Sequence, residues 1–214
     1  MRTRFGLDVP TTLPELCRPD RMALIVYDMQ VGVVRQLAEG AAITERVARV
    51  LDSVRRSGVR VIFTRHMSLP LKLMGSFQLR QAMVWQKLTD PDDVQPWFLR
   101  SSPGFEIMPE LAPRADEAVI DKIAFSAFEG TPLATILRDC GLQAFAVVGI
   151  AIEIGIDPTV RHGADLGLVP IVVRDACGAG DPEAARRSLE NLAWMGDAIM
   201  TDVTTLSAAL HSSG

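Results

Sequence analysis

The sequence predicts an α/β protein, a three-layer α/β/α sandwich built on a six-stranded, mainly parallel, doubly wound sheet. Three observations predict it. Short runs rich in Val and Ile are apolar along almost their whole length, as in parallel strands covered on both faces. Amphipathic stretches with helical spacing alternate with those runs, the pattern of repeated β-α units. A chain of 214 residues, 48% of them apolar, is long enough to bury one sizeable core.

The elements follow in chain order. Met22 to Tyr27 opens the sheet as an unbroken apolar run. Ile43, Val47, Val50, Leu51 and Val54 recur at helical spacing, and Gly58 can terminate that helix. Val59 to Thr64 is the second strand and Ala118 to Asp121 the third. Pro132 to Asp139 reads as a helix ended near Gly141, before a fourth strand from Phe145 to Ile150. A helix from Pro158 to Leu166 leads to the fifth strand, Pro170 to Val173. Asp181 is placed as the N-cap, and Pro182 as the first turn, of a helix ending at Met195. Asp197 to Met200 is the last strand.

Residues 67–109 break this rhythm. They hold Met74, Phe77, Met83, Trp85, Trp97, Phe98 and Phe105 but no clear strand. A long excursion between two strands is read either as a lid or binding wall, or as a helical insertion packed for stability or an oligomer interface. No repeat, low-complexity tract or linker is evident, so residues 1–214 are expected to form one domain carrying this insertion.

Composition excludes several classes. A net charge of −4 provides no basic field for nucleic acid or anionic lipid. No run reaches the roughly 18 apolar residues of a membrane span. Arg2 and Arg4 near the N-terminus have no apolar segment behind them, so a cytoplasmic location is expected. Three cysteines in no metal-ligand spacing argue against a disulfide framework and a zinc site. His66, His162 and His211 are far apart and form no HxH or HExxH pattern, so no metal or other cofactor is expected. The expected partner is a small-molecule substrate.

Ligands in open α/β sheets gather beyond the carboxyl ends of strands, and three features sit there. Asp28 closes the first strand in Tyr27-Asp28-Met29-Gln30. Lys122 closes the third in Ile120-Asp121-Lys122, ahead of Ser126-Ala127-Phe128. Gly149 closes the fourth and opens Gly149-Ile150-Ala151-Ile152-Glu153-Ile154-Gly155-Ile156-Asp157-Pro158-Thr159. Singly, each has a plain reading as an N-cap, a solvated lysine and a backbone turn.

Together and in this order, with Val61 to Thr64 and Val172 to Ala176, they resemble the isochorismatase-like (cysteine hydrolase) superfamily over roughly Arg21 to Leu206. The resemblance implies a Rossmann-like hydrolase fold, assembly as a homodimer or homotetramer, and an Asp-Lys-Cys triad. In that family the cysteine lies six residues after the strand-ending glycine, a count that leads here to Gly155. Cys17, Cys140 and Cys177 fall elsewhere in the pattern. Without a thiolate, acyl-enzyme chemistry does not operate.

Isochorismatases, on the same resemblance, also carry glycine there and hydrolyse a vinyl ether. That reaction needs a proton donor and a dry pocket rather than a nucleophilic side chain. It implies Asp28 as acid, Lys122 as its positioning partner, and Gly155 as room for substrate or water. Gln30, Phe125, Ala151, Ile152, Glu153 and Trp85 are the candidate substrate-binding residues. The turn is expected to present backbone N–H groups and a cis peptide at Ala151-Ile152. Glu153 stands where isochorismatases carry a histidine and would repel a dianion. Arg65, Arg80 and Lys87 are the candidate positive partners, and His66 is read as structural.

Three functions stay open: a hydrolase using Asp28, Lys122 and water; a non-catalytic small-molecule-binding pseudoenzyme; and a C–N hydrolase whose cysteine has become glycine. For Asp28, Lys122 and Gly155 to meet, the first, third and fourth strands are expected to be neighbours, with the second beyond the first.

Overall fold

Six apolar runs pair into one parallel sheet in the computed structural model, which describes residues 1–211. An exposed antiparallel hairpin, β1 (Arg2–Arg4) and β2 (Leu7–Val9), precedes it, followed by the short helix α1 (Leu13–Leu16). The sheet strands are β3 (Met22–Tyr27), β4 (Arg60–His66), β5 (Ala118–Lys122), β6 (Ala144–Ile150), β7 (Val169–Gly178) and β8 (Ile199–Thr201). The helices between them are α2 (Val31–Val34), α3 (Gly40–Ser57), α4 (Ser76–Gln86), α5 (Leu133–Asp139), α6 (Asp157–Asp165) and α7 (Pro182–Met195). A last helix, α8 (Val203–His211), follows β8. The hairpin and α8 are elements that the sequence pattern did not announce. No helix among the described residues is long and apolar enough to cross a membrane.

Two cores explain the three layers. Along β3, Met22, Leu24 and Val26 pack toward α3 and α8, while Ala23, Ile25 and Tyr27 pack toward α5, α6 and α7. The two-residue alternation of a strand divides the run this way. α3 buries Ile43, Val47, Val50, Leu51 and Val54 as its spacing predicts, and Gly58 ends it at φ 74°. The Asp181 side chain accepts from Ala184 N at 2.7 Å, capping α7. β7 runs well beyond the expected Val173. The sequence pattern stopped at the polar pair Arg174-Asp175, but both are exposed at a register shift and pairing resumes at Cys177.

The strand order is β5-β4-β3-β6-β7-β8. This corrects the expected neighbourhood: β4 lies between β3 and β5, and the switch point falls between β3 and β6. Adjacency was not needed, because the lysine side chain is long enough to reach from the end of β5 across β4 to Asp28.

The 67–109 segment is ordered as α4 and three single 3₁₀ turns at Leu71–Leu73, Pro91–Asp93 and Pro103–Phe105. It holds to the body of the protein through Phe98 and Phe105, both buried, and through an antiparallel bridge between Gln30 and Ile107. α4 buries none of its residues fully, and Phe77 and Val84 face outward.

Candidate active site

Asp28 leaves β3 in the left-handed region, at φ 46°, a conformation that aspartate tolerates better than most residues. That turn is held by Asp28 N donating to the Thr64 carbonyl of β4 at 3.2 Å. Thr64 Oγ1 donates to Asp28 Oδ1 at 2.6 Å, and Lys122 Nζ donates to Asp28 Oδ2 at 2.7 Å. Lys122 Nζ also donates to the Ala124 carbonyl at 3.2 Å and lies 4.3 Å from the centre of the Tyr27 ring. The two side chains are 1% and 8% exposed, so this is a buried ion pair. Burial pulls the Lys122 pKa below its usual 10.5, with Asp28 pulling the other way.

Gly155 sits in a π-helical turn, Ile152–Ile156, that feeds directly into α6. A side chain there has nowhere to go. A Cβ built on Gly155 would collide with the Tyr27 hydroxyl and come within 2.6 Å of its ring at Cε1. The phenol donates to the Phe125 carbonyl. Its pKa lies well above 10, chiefly through burial and then through the Asp28 charge, so the hydroxyl stays protonated. Gly155 N and Ile156 N both donate to the Ala151 carbonyl at 3.1 Å, so these two N–H groups of the turn are already occupied. The cis peptide is Ile150-Ala151, one bond earlier than expected.

Several of these groups border a cavity of about 520 Å³, within the range of small-molecule sites. Asp28, Lys122 and Tyr27 are in its wall, with His66, Ala151, Glu153, Asp181 and the rings of Trp85, Trp97, Phe98 and Phe125. Trp85 and Phe125 lie 6.2 Å apart, centre to centre. The 67–109 segment supplies part of the cavity wall, with Trp85, Trp97 and Phe98 as its contribution. Burial lowers the His66 pKa from 6.5 to about 4.

Several expected residues stand elsewhere. Gln30 is fully buried outside the cavity: its Nε2 donates to the His66 and Phe105 carbonyls at 3.0 and 3.1 Å, and its Oε1 accepts from His66 N at 2.7 Å. It fastens the insertion to β4. Ile152 points into the core with Ile156 and Val160, not into the cavity. Gly155 itself is outside the wall, screened by Tyr27. None of Arg65, Arg80 and Lys87 lines the cavity, and Arg65 instead bonds Asp121 at 2.8 Å and stacks over Phe105. Glu153 does face the cavity, with Oε1 accepting from Gly180 N and Asp181 N at 2.8 Å each.

No cysteine reaches the site. Cys17 and Cys177 are buried, and burial pushes both thiols up to about 12, while Cys140 is exposed at the end of α5. No group of three or more His, Cys, Asp or Glu among the described residues is placed to hold a metal ion.

Tyr27 and Thr64 escaped the sequence reading. The only signal for Tyr27 was an aromatic residue ending an otherwise aliphatic strand, and Thr64 was quoted merely as strand.

A family model described as the isochorismatase domain matches residues 22–205. The chain belongs to the isochorismatase family. Among named members it is 27% identical, over 199 residues, to the ureidoacrylate amidohydrolase RutB of Acinetobacter baylyi, covering 84% of this chain and 81% of that one. The RutB of Serratia proteamaculans is 26% identical over 215 residues, with 91% and 86% covered. The solved cysteine hydrolase of Pseudomonas syringae pv. phaseolicola superposes with a TM-score of 0.75 at 25% identity, covering 92% of this chain and 95% of that one. An isochorismatase family protein of Desulfovibrio vulgaris shares the fold at a TM-score of 0.75, with 24% identity and 89% and 98% covered. The chain thus belongs to a family of hydrolases, with the paired Asp28 and Lys122 at the carboxyl edge of its sheet.

Proposed function

We propose that the protein hydrolyses a small molecule without a cysteine nucleophile, using water activated beside the Asp28–Lys122 pair. The observation that carries this reading is the Tyr27 hydroxyl in the space of a residue-155 side chain, beside a Lys122–Asp28 contact of 2.7 Å. The polar pair is kept while the position of a thiol is filled by a protonated phenol, which is a poor nucleophile.

Asp28 receives one hydrogen bond on each oxygen, from Thr64 and from Lys122. Paired with the Lys122 ammonium, the Asp28 carboxylate takes a proton from water as the oxygen adds to the substrate carbon. The same proton then passes to the leaving atom as its bond to that carbon breaks. Lys122 holds the carboxylate in place and balances its charge throughout. This favours Asp28 as base first and acid second, rather than as the initial proton donor to a vinyl ether. The names of the RutB relatives point to C–N bonds as the class to try first.

The test is a hydrolysis screen of purified protein against amides, ureides and enol ethers, read by mass spectrometry, with Asp28→Asn as control. Turnover lost in the variant supports the reading. Turnover that survives Asp28→Asn sinks the assignment of Asp28. Ligand binding with no turnover of any class supports a pseudoenzyme instead.

A further inference from the structure

The cavity wall carries uncompensated charge of one sign. Its one cationic side chain, Lys122, is bound to Asp28 at 2.7 Å. His66, with its pKa near 4, is neutral at pH 7. That leaves Glu153, from the turn after β6, and Asp181, at the start of α7. Asp181 caps α7 through Ala184 N, so part of its charge is offset by the helix N-terminus.

Glu153 is less well satisfied. Oε1 accepts from Gly180 N and Asp181 N, but Oε2 is buried and has no hydrogen-bond partner among the described residues. A carboxylate oxygen shut away without a donor is unfavourable. That oxygen is too enclosed for a ligand to touch it, so the carboxylate acts on the cavity through its charge. The rings of Trp85, Trp97, Phe98 and Phe125 form much of the remaining wall, and aromatic faces attract cations.

We propose that this cavity takes a small organic cation, an amine protonated at neutral pH on an apolar or aromatic body, drawn by the charges of Glu153 and Asp181 and by the aromatic wall. This rests on the cavity being the substrate site and names the substrate class it selects. A carboxylate ligand meets Glu153 and Asp181 with no free cation to receive it. Glu153 is thereby a specificity-determining residue, and the dianion isochorismate is a poor fit.

The experiment compares three probes of similar size, benzylamine, benzyl alcohol and phenylacetate, by ligand-observed NMR titration against the wild-type protein and Glu153→Gln. Glutamine keeps one oxygen for Gly180 N and Asp181 N and replaces Oε2 with a donor, so the turn is preserved; a thermal melt checks this. In the wild type, benzylamine is expected to bind about tenfold more tightly than benzyl alcohol, with phenylacetate weakest. Glu153→Gln is expected to abolish the preference for the amine. Phenylacetate binding as tightly as benzylamine overturns the proposal, as does no saturable binding of any probe, or an unchanged preference in Glu153→Gln. If the variant does not fold, the wild-type ranking decides alone. Because binding is read without turnover, amine selectivity without hydrolysis retains the ligand class and removes the hydrolase reading. Hydrolysis without amine selectivity does the reverse.

Discussion

The Tyr27 hydroxyl lies where a side chain on Gly155 would begin, so the last residue of β3 and the turn before α6 compete for one volume. The ring occupies it, anchored by its hydrogen bond to the Phe125 carbonyl. A glycine in the turn and a tyrosine in the strand are thus complementary in size, and neither is replaceable alone.

Gly155→Ala is expected to lower stability by about 2–3 kcal/mol, the cost of overpacking a filled interior. Tyr27→Val leaves a cavity of its own, so the double variant with Gly155→Ala should lose clearly less than the sum of the two single losses. Thermal melts of the single and double variants check this; an unaltered melting temperature in Gly155→Ala would show that no such competition exists. In Tyr27→Val/Gly155→Cys the new thiol should be alkylated by iodoacetamide, while Gly155→Cys alone should fold poorly.

Removing one member of the buried Asp28–Lys122 pair leaves its partner's charge uncompensated, at a cost of about 3–5 kcal/mol. Asp28→Asn and Lys122→Met should each destabilise by that order, and the double variant by clearly less than the sum. Denaturant titrations in a double-mutant cycle measure the coupling. On an identified substrate, Asp28→Asn should reduce kcat by about 100-fold or more.

His66 is held neutral by burial, with a pKa of about 4 against 6.5 when free. Between those values the unfolded chain binds a proton that the folded chain does not, so folding stability should fall as pH drops from 6.5 toward 4. The loss is at most about 3 kcal/mol, less whatever residual solvent contact screens. Urea unfolding across that range, compared with His66→Gln, isolates the contribution: the variant should show a shallower slope.

Gln30→Ala removes both donors and the acceptor that join β4 to the insertion, leaving the His66 and Phe105 carbonyls short of a partner. A loss of about 2–4 kcal/mol is expected, seen as a lower denaturant midpoint. Because Gln30 lies outside the cavity, ligand affinity in the folded variant should change little.

One thiol of three should react with an aromatic disulfide reagent in the native protein at pH 8. Cys140 is exposed, whereas Cys17 and Cys177 are buried with pKa values near 12. Rapid reaction of a second thiol without denaturant would contradict this burial.

Local pattern made much of this protein legible. β3 has the predicted bounds, because six consecutive apolar residues admit few other readings as a strand. α3, with Gly58 after it, and α7, with Asp181 before it, followed from helical spacing and capping, which act between residues close in sequence. Asp28 and Lys122 each end a strand that the pattern located, but it was the resemblance to a family that implied they work as a pair.

The sequence alone thus determined the layered α/β architecture and most element positions, which depend on short-range periodicity, and implied the polar pair through its resemblance to a family. Only the tertiary structure decided that β4 separates β3 from β5, that Tyr27 fills the space beside Gly155, and that Gln30 is a fastening rather than a ligand contact. Each of those depends on which distant side chains occupy the same few ångströms, and excluded volume and hydrogen-bond satisfaction settle that question only once the strands are packed.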